Sequence, residues 1–257
     1  MKQMLIIPDR NNIAESLAIA KEYGLGFEYN DFFIPDVLDN EKKQNEIIQQ
    51  YQKEDLPAYT TLHGAFFDVI PFSMDVKIRE VAQLRIEQSI DIAKKLGAKA
   101  VVFHTNYDPF LNSSEYIRGW IESNFEFWSK ELETHPDMNI YLENMFDASP
   151  AILETLSERL SVYSNYGVCL DYAHATLSKV PAEVWAERLG RFVKHVHIND
   201  NDLISDLHLA WGKGKINRQK FYEVYAAFLA DATVLIETTS VENQKSSLKI
   251  LKEEGFF

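Results

Sequence analysis

Short apolar runs and helix-period runs alternate through the whole chain, and this alternation restricts the fold more than any other feature. The apolar runs are residues 4–7, 25–29, 59–62, 100–103, 140–142, 168–170, 193–198 and 234–236. Each is brief and bounded by polar or turn residues, which is how a strand covered on both faces reads. Between them the pattern predicts helices over 12–23, over about 39–54 with Asp39 as N-cap, over 76–96 and over 114–133. Four more follow: one opened by Pro150, one from Pro181 to Leu189, one capped by Asn217 and running to about Leu229, and one over 242–254. In the clearest of these, Ala82, Ile86, Ile90, Ala93 and Leu96 recur on one face, and Gly97 ends it.

Eight strand–helix units in 257 residues predict an α/β fold closed as a (β/α)8 TIM barrel, whose usual length is about 250 residues. No linker, low-complexity stretch or charge block divides the chain, so one barrel domain over 1–257 is expected. An open doubly wound sheet is the alternative. The absence of a glycine-rich phosphate fingerprint after the first strand counts against its dinucleotide-binding form.

A barrel of this kind puts its chemistry where strands end and βα loops begin. Those ends form a series here: His63 after the third strand, His104 after the fourth, Glu143 after the fifth, Asp171 and then His174 after the sixth. The seventh gives His197, its loop Asp206 and His208, and the eighth Glu237. A lone strand-end histidine is usually a hydrogen-bonded structural residue, and a lone Glu can merely cap a helix. Carboxylates turned towards one mouth, however, repel one another unless cations neutralise them. Imidazole nitrogen with carboxylate oxygen suits zinc, manganese or iron. The expectation is therefore a divalent metal site.

Other residues carry weaker expectations. Glu28, ending the second strand, and Trp211 and Lys213, in the seventh βα loop, are candidates to contact substrate. Phe66 and Phe67 either wall the substrate or pack the rim. His195 reads as a supporting or core residue below His197, His135 as exposed, and Cys169 as core. One cysteine excludes a disulfide framework. The opening MKQMLIIPDR holds too short an apolar run for a signal peptide, and no window approaches a membrane span, so a cytoplasmic location and no membrane partner are expected. The net charge of −13 argues against nucleic acid as partner without excluding it. Oligomeric state is not legible.

The motifs LENMF at Glu143, LDYAHA at Asp171 and His174, VHINDND at His197, DLHLAWGKG at Asp206 and His208, and LIETT at Glu237 resemble the xylose isomerase-like TIM-barrel superfamily. That superfamily holds sugar isomerases and epimerases together with the endonuclease IV-type AP endonuclease family 2. The resemblance implies one to three divalent ions, zinc first with manganese or magnesium as alternatives, in two ligand patterns. Epimerases use one metal on residues matching Glu143, Asp171, His197 and Glu237. Endonuclease IV-like enzymes hold three zinc ions and add ligands matching His63, His104, His174, Asp206 and His208. The chain carries the larger set, lacks the arginine that epimerases place after the strand-seven histidine, and has acidic, aromatic rim loops unlike a DNA-tracking surface.

The expected function is a metal-dependent isomerase or epimerase acting on a small carbohydrate, a sugar or sugar phosphate, through an enediolate. Glu143 and Glu237 would exchange protons, and His174 would touch a substrate hydroxyl. The alternative is an endonuclease IV-like multi-zinc hydrolase of abasic DNA or a small phosphoester. A metal-stabilised sugar-binding barrel without catalysis is a third reading.

Overall fold

The computed structural model describes residues 2–257. Eight parallel strands close into a barrel in chain order. They are β1 (Met4–Ile6), β2 (Gly26–Tyr29), β3 (Thr60–His63), β4 (Ala100–His104), β5 (Asn139–Glu143), β6 (Tyr166–Asp171), β7 (Val193–Ile198) and β8 (Thr233–Ile236). The helices outside are α1 (Ile13–Tyr23), α2 (Pro35–Leu38), α3 (Glu41–Gln52), α4 (Val76–Leu96), α5 (Ser114–Thr134), α6 (Ala151–Leu160), α7 (Tyr172–Leu177), α8 (Ala182–Leu189), α9 (Arg218–Val224) and α10 (Val241–Glu253). The expected closed barrel is thus observed. No helix among the described residues is long and apolar enough to cross a membrane.

The main core lies between strands and helices, where Ile86, Ile90, Trp128, Leu153, Trp185 and Phe221 are buried. Inside the barrel two small apolar clusters, Ala100, Val102, Tyr141 and Cys169, and Leu5, Ile7 and Leu235, form separate groups. The polar side chains Glu28, Thr61 and His195 are fully buried and linked to one another by hydrogen bonds. A register shift between Val168 and Cys169 sets Cys169 opposite His195 and Asp171 opposite His197.

Four of the strands that carry candidate ligands run one residue further than the apolar pattern indicates. His63, His104, Glu143 and Asp171 are the last residues of β3, β4, β5 and β6. Asp39 is not the cap of α3: Asn40 accepts from Lys43 N, and Asp39 pairs with Arg85 instead. The helix expected from residue 12 begins at Ile13, after a 3-10 turn over Arg10–Asn12. Two short helices, α2 and α7, escape periodicity because each is little more than a turn or two. The helix after Asn217 changes to a π turn over Tyr225–Leu229. His135 is not freely exposed: its Nδ1 lies 2.9 Å from Lys94 Nζ and its Nε2 3.7 Å from Glu131.

After β7 the chain doubles back on itself, and Asp200 fixes the reversal. Its backbone pairs with Leu209, at 2.9 and 2.8 Å. Its buried carboxylate accepts from Asn201 N, Gly212 N and Ile216 N at 2.9, 2.9 and 3.0 Å. Gly214 must lack a side chain, since a Cβ there would stand 2.4 Å from Asp200 Oδ1. Asp200→Ala strands three backbone donors and is expected to destabilise the protein by at least about 2 kcal/mol. Urea unfolding measures this; an unchanged midpoint would contradict the role given to Asp200.

Candidate metal centre

Nine side chains from six strand ends and their loops converge at the mouth of the barrel. Three groups of donor atoms, each within 4.8 Å, take in all nine: His63, His104 and Glu143; Glu143, Asp171, His197 and Glu237; and His174, Asp206 and His208; a fourth group, His63, His197 and Glu237, overlaps the first two. Glu143 belongs to two of them.

The histidines are aimed from behind. Nδ1 of His63 lies 3.1 Å from Gly64 O, Nδ1 of His174 lies 3.0 Å from Asn144 O, and Nδ1 of His208 lies 3.2 Å from Glu237 O. Donation to these carbonyls leaves each Nε2 lone pair free for the centre. His197 is turned the other way round. Its Nε2 is 3.1 Å from Glu28 Oε1, and its Nδ1 faces Glu143 and Glu237, both at 3.5 Å. The carbonyls behind His63, His174 and His208 fix the tautomer that ligation needs, the Glu28 carboxylate lies close behind His197, and His104 Nδ1 is buried without a partner.

The separations fit shared cations. His63 and His104 Nε2 each lie 3.5 Å from Glu143 Oε2, and His174 and His208 Nε2 lie 3.2 and 3.1 Å from Asp206 Oδ2. Two donors on one tetrahedral zinc stand roughly 3.3 Å apart, whereas charge-assisted hydrogen bonds cluster at about 2.7–2.9 Å. Glu143 Oε1 and Oε2, Asp171 Oδ2, His197 Nδ1 and Asp206 Oδ1 are buried without a hydrogen-bond partner. Buried polar atoms are seldom left unpaired, and orphaned atoms at all three groups are the mark of lone pairs kept for cations. The residues present fit divalent metal ions.

Electrostatics follow from the crowding. Burial, with Glu237 and Glu143 nearby, pushes the Asp171 carboxyl up to about 8 despite the opposing pull of His174 and His197. Burial would lower His208, yet Asp206 and Glu237 raise it to about 10. Burial would likewise raise Glu237, but the His197 imidazole holds it down at about 2. His208 also has φ +47°, a left-handed conformation that costs an L-residue roughly 1–2 kcal/mol. Its ring is nevertheless the one that completes the third group.

A cavity of about 370 Å³ opens over the ligands. Phe66, Phe67, Met145 and Phe146 form its apolar side. Phe66 packs 5.0 Å from both the His63 and His104 rings, and Phe146 lies 5.3 Å from His174. Phe66 and Phe67 line this cavity and also pack on Phe33 at the rim, with ring centroids 4.8 and 6.1 Å away.

None of the three expected substrate contacts lines this cavity. Glu28 does not reach the mouth: it is fully buried beneath His197, where it also accepts from Thr61 Oγ1 at 2.6 Å and pairs with His195 Nε2 at 3.1 Å. Trp211 is fully buried on the helix side, packed on Phe221, its Nε1 donating to Tyr222 Oη. The reversal at Asp200 carries it away from the mouth. Lys213, beyond it, is exposed and lines neither this cavity nor the one beside it. His195 and Cys169 are buried inside the barrel, as expected. Sequence reasoning passed over Asn144, whose side chain exchanges two 2.9 Å hydrogen bonds with the Asp171 backbone, and Asp147. Both follow Glu143 closely, and that adjacency was the available signal.

The xylose isomerase-like TIM barrel family model matches residues 17–254. The chain belongs to that family. Among its relatives, a probable endonuclease 4 of Mycobacterium marinum is 26% identical over 82% of this chain and 84% of the relative. A fructoselysine 3-epimerase of Shigella flexneri is 25% identical over 72% and 68%. The TTHB071 protein of Thermus thermophilus, solved after soaking with ZnCl2, superposes with a TM-score of 0.79 at 23% identity, over 100% of this chain and 98% of that one. The family therefore includes both sugar epimerases and endonuclease 4 proteins.

Two predictions arise. Glu28→Gln, behind His197, is expected to weaken zinc affinity roughly 10–100-fold with the fold retained, as read by competition with a chromophoric chelator. Second, Asp171 and His208 have folded pKa values raised from 3.8 to about 8 and from 6.5 to about 10. Groups raised in the folded state stabilise below their unfolded pKa, and that contribution is lost as pH climbs through the folded value. Chelated protein should accordingly lose thermal stability between about pH 4 and 10, first through Asp171 and then through His208, and zinc-loaded protein much less. Parallel melting curves across that range would refute the shared cation site.

Proposed function

We propose that this protein is a polynuclear metal-dependent hydrolase of a small phosphoester, with a carbohydrate-type substrate. The observation that carries the reading is the enclosure of Glu143. Its Oε2 faces His63, His104 and His197 at 3.5 Å each, and its Oε1 faces His174 at 3.6 Å. A carboxylate that abstracts a proton from carbon needs one free, basic oxygen near the substrate. Glu143 Oε2 is enclosed by three imidazoles and its Oε1 is buried without a partner beside His174 Nδ1, so Glu143 is placed to join two ligand groups. Glu237, held near 2, is a poor base at neutral pH.

Zinc or a similar cation, bound in these groups, would supply the charge that orients a phosphoryl group and makes water acidic enough to attack it. The protein's own part is arrangement. His63, His104, Glu143, Asp171, His197 and Glu237 hold one side of the centre, and His174, Asp206 and His208 the other. Phe66 and Phe146 exclude bulk water. Asp171, anchored through Asn144, keeps its orphan oxygen turned to the centre. A small substrate fits the 370 Å³ cavity and the net charge of −13 better than a DNA backbone does.

The second reading remains a sugar isomerase or epimerase with one metal. It is favoured by the group Glu143, Asp171, His197 and Glu237 being complete by itself, and by the epimerase relative. Protein purified without chelators is expected to carry about two or three metal ions and to hydrolyse small phosphoesters such as bis(p-nitrophenyl) phosphate. Asp206→Ala, which removes the third group's carboxylate, should cut turnover more than about a hundredfold. Ketose epimerisation supported by one ion per chain, unaffected by Asp206→Ala, would sink the hydrolase reading. Efficient incision of an abasic oligonucleotide would retain hydrolysis and overturn the small substrate.

A further inference from the structure

A chain of polar groups runs through the barrel interior beneath the metal centre, and only Glu28 among them pairs with a candidate ligand. His195 and Glu28 are both 0% exposed. His195 Nδ1 lies 2.6 Å from Thr233 Oγ1, and its Nε2 lies 3.1 Å from Glu28 Oε2. Thr233 is the first residue of β8, at the end of the barrel opposite the mouth. Thr61 Oγ1 donates to the same Glu28 oxygen at 2.6 Å, while Glu28 Oε1 faces His197 Nε2 at 3.1 Å. Cys169, His195 and His197 also bring possible donor atoms within 4.8 Å of one another. They do not make a further cation site, because Thr233 and Glu28 engage both His195 nitrogens.

The proton count fixes the polarity of the chain. An ionised carboxylate only accepts, so His195 Nε2 must carry the hydrogen that meets Glu28 Oε2. The reverse tautomer would hold two lone pairs against each other at 3.1 Å. Burial favours the neutral imidazole, which leaves Nδ1 as an acceptor. Thr233 then donates to it. The Thr233 hydroxyl has a second acceptor in Lys194 O, but at 3.3 Å against 2.6 Å, and the closer partner takes its single proton. Both outer donors, Thr61 and His195, meet Oε2, so Oε1 is left for His197. A carboxylate oxygen beside His197 Nε2 favours hydrogen there. His197 Nδ1, buried without a partner, then keeps its lone pair towards Glu143 and Glu237.

We propose that His195 is a positioning residue for the metal centre: Thr233 sets its tautomer from the far end of the barrel, and with Thr61 it holds Glu28 so that the His197 Nδ1 lone pair is left for a cation. This rests on the cation reading of the mouth and is independent of which reaction the centre performs.

The first test is long-range 1H–15N NMR of the imidazoles in the full chain, zinc-loaded and chelated. His195 is expected as the neutral Nε2–H tautomer in both. An Nδ1–H tautomer, or an imidazolium, overturns the polarity. The second is zinc affinity by competition with a chromophoric chelator. Thr233→Val keeps the shape and removes the hydroxyl, and is expected to weaken the central ion roughly three- to tenfold. Thr233→Ser, which keeps the donor, should bind as the unmodified protein does. His195→Leu should weaken it by roughly tenfold or more, and His195→Gln, which retains an N–H for Glu28, should recover part of the loss. An ion at His174, Asp206 and His208, which the chain does not reach, should be held as before. The Thr233 pair lies at the barrel's far end, so the comparison does not depend on His195→Leu folding. Equal affinity of Thr233→Val and Thr233→Ser, or zinc binding by no form of the protein, overturns the inference. Zinc affinity that responds as expected in a protein inactive on phosphoesters upholds it and removes only the hydrolase reading.

Discussion

Four carboxylates, Glu143, Asp171, Asp206 and Glu237, share one barrel mouth, and three of them are almost wholly buried. Burial and mutual repulsion both oppose their ionisation, so positive charge has to be supplied. Without cations, protons supply part of it. Asp171 is pushed upward, and so are His174, His197 and His208, each raised by the carboxylates around it although burial alone would lower them. Cations would displace those protons. The carbonyls behind His63, His174 and His208, the Glu28 carboxylate behind His197 and the Asp200 turn all make sense as parts that hold lone pairs towards that charge.

The barrel and its ligands were legible because one local unit recurs. A buried strand is apolar until it reaches the mouth, so the first polar residue after each run marks the site. His63, His104, Glu143, Asp171 and Glu237 obey this, whereas His197 is the next-to-last residue of its own strand. The misreadings have a common cause in three dimensions. Glu28 has the same position at the end of an apolar run, but β2 pairs Glu28 with Thr61, two residues short of His63, and so it lies below the ligands. Trp211 follows Asp206 and His208 by only a few residues, yet the antiparallel pairing of Asp200 with Leu209 turns it into the core. Neither a strand's depth in the barrel nor a loop's reversal is encoded in hydrophobic period. The Asp39 and Asn40 caps differ by one residue, below the resolution of any such pattern.

The loop from β7 to α9 joins stability to function most directly. Leu203 and His208 both adopt positive φ, and Leu203 and Ile204 present apolar side chains to solvent. A segment with such local costs persists only when its surroundings over-determine it. Asp200 with its three backbone donors, and Asn201, which donates to Ala173 O and accepts from Leu203 N, provide that determination. The strain sits at the ligand that completes the third group, while the hydrogen bonds that oppose it lie a turn away. Binding a cation at His174, Asp206 and His208 would tie this loop to α7, so the shape of the cavity beside the ligand site, lined by residues from both, depends on that group.

That coupling bears on how one family serves two chemistries. Glu143, Asp171, His197 and Glu237 alone can hold a single ion and leave a carboxylate oxygen for proton transfer. Placing His63 and His104 against Glu143 Oε2 gathers imidazoles on one side of that carboxylate, and closing the β7 loop with Asp206 and His208 adds a third candidate group across the mouth. Each addition weakens the case for a base at carbon and strengthens the case for charge gathered around a phosphoryl group. The scaffold need not change. What differs is whether the central glutamate is a base with one ligand role or a ligand shared between two groups, and in this chain four imidazoles surround it.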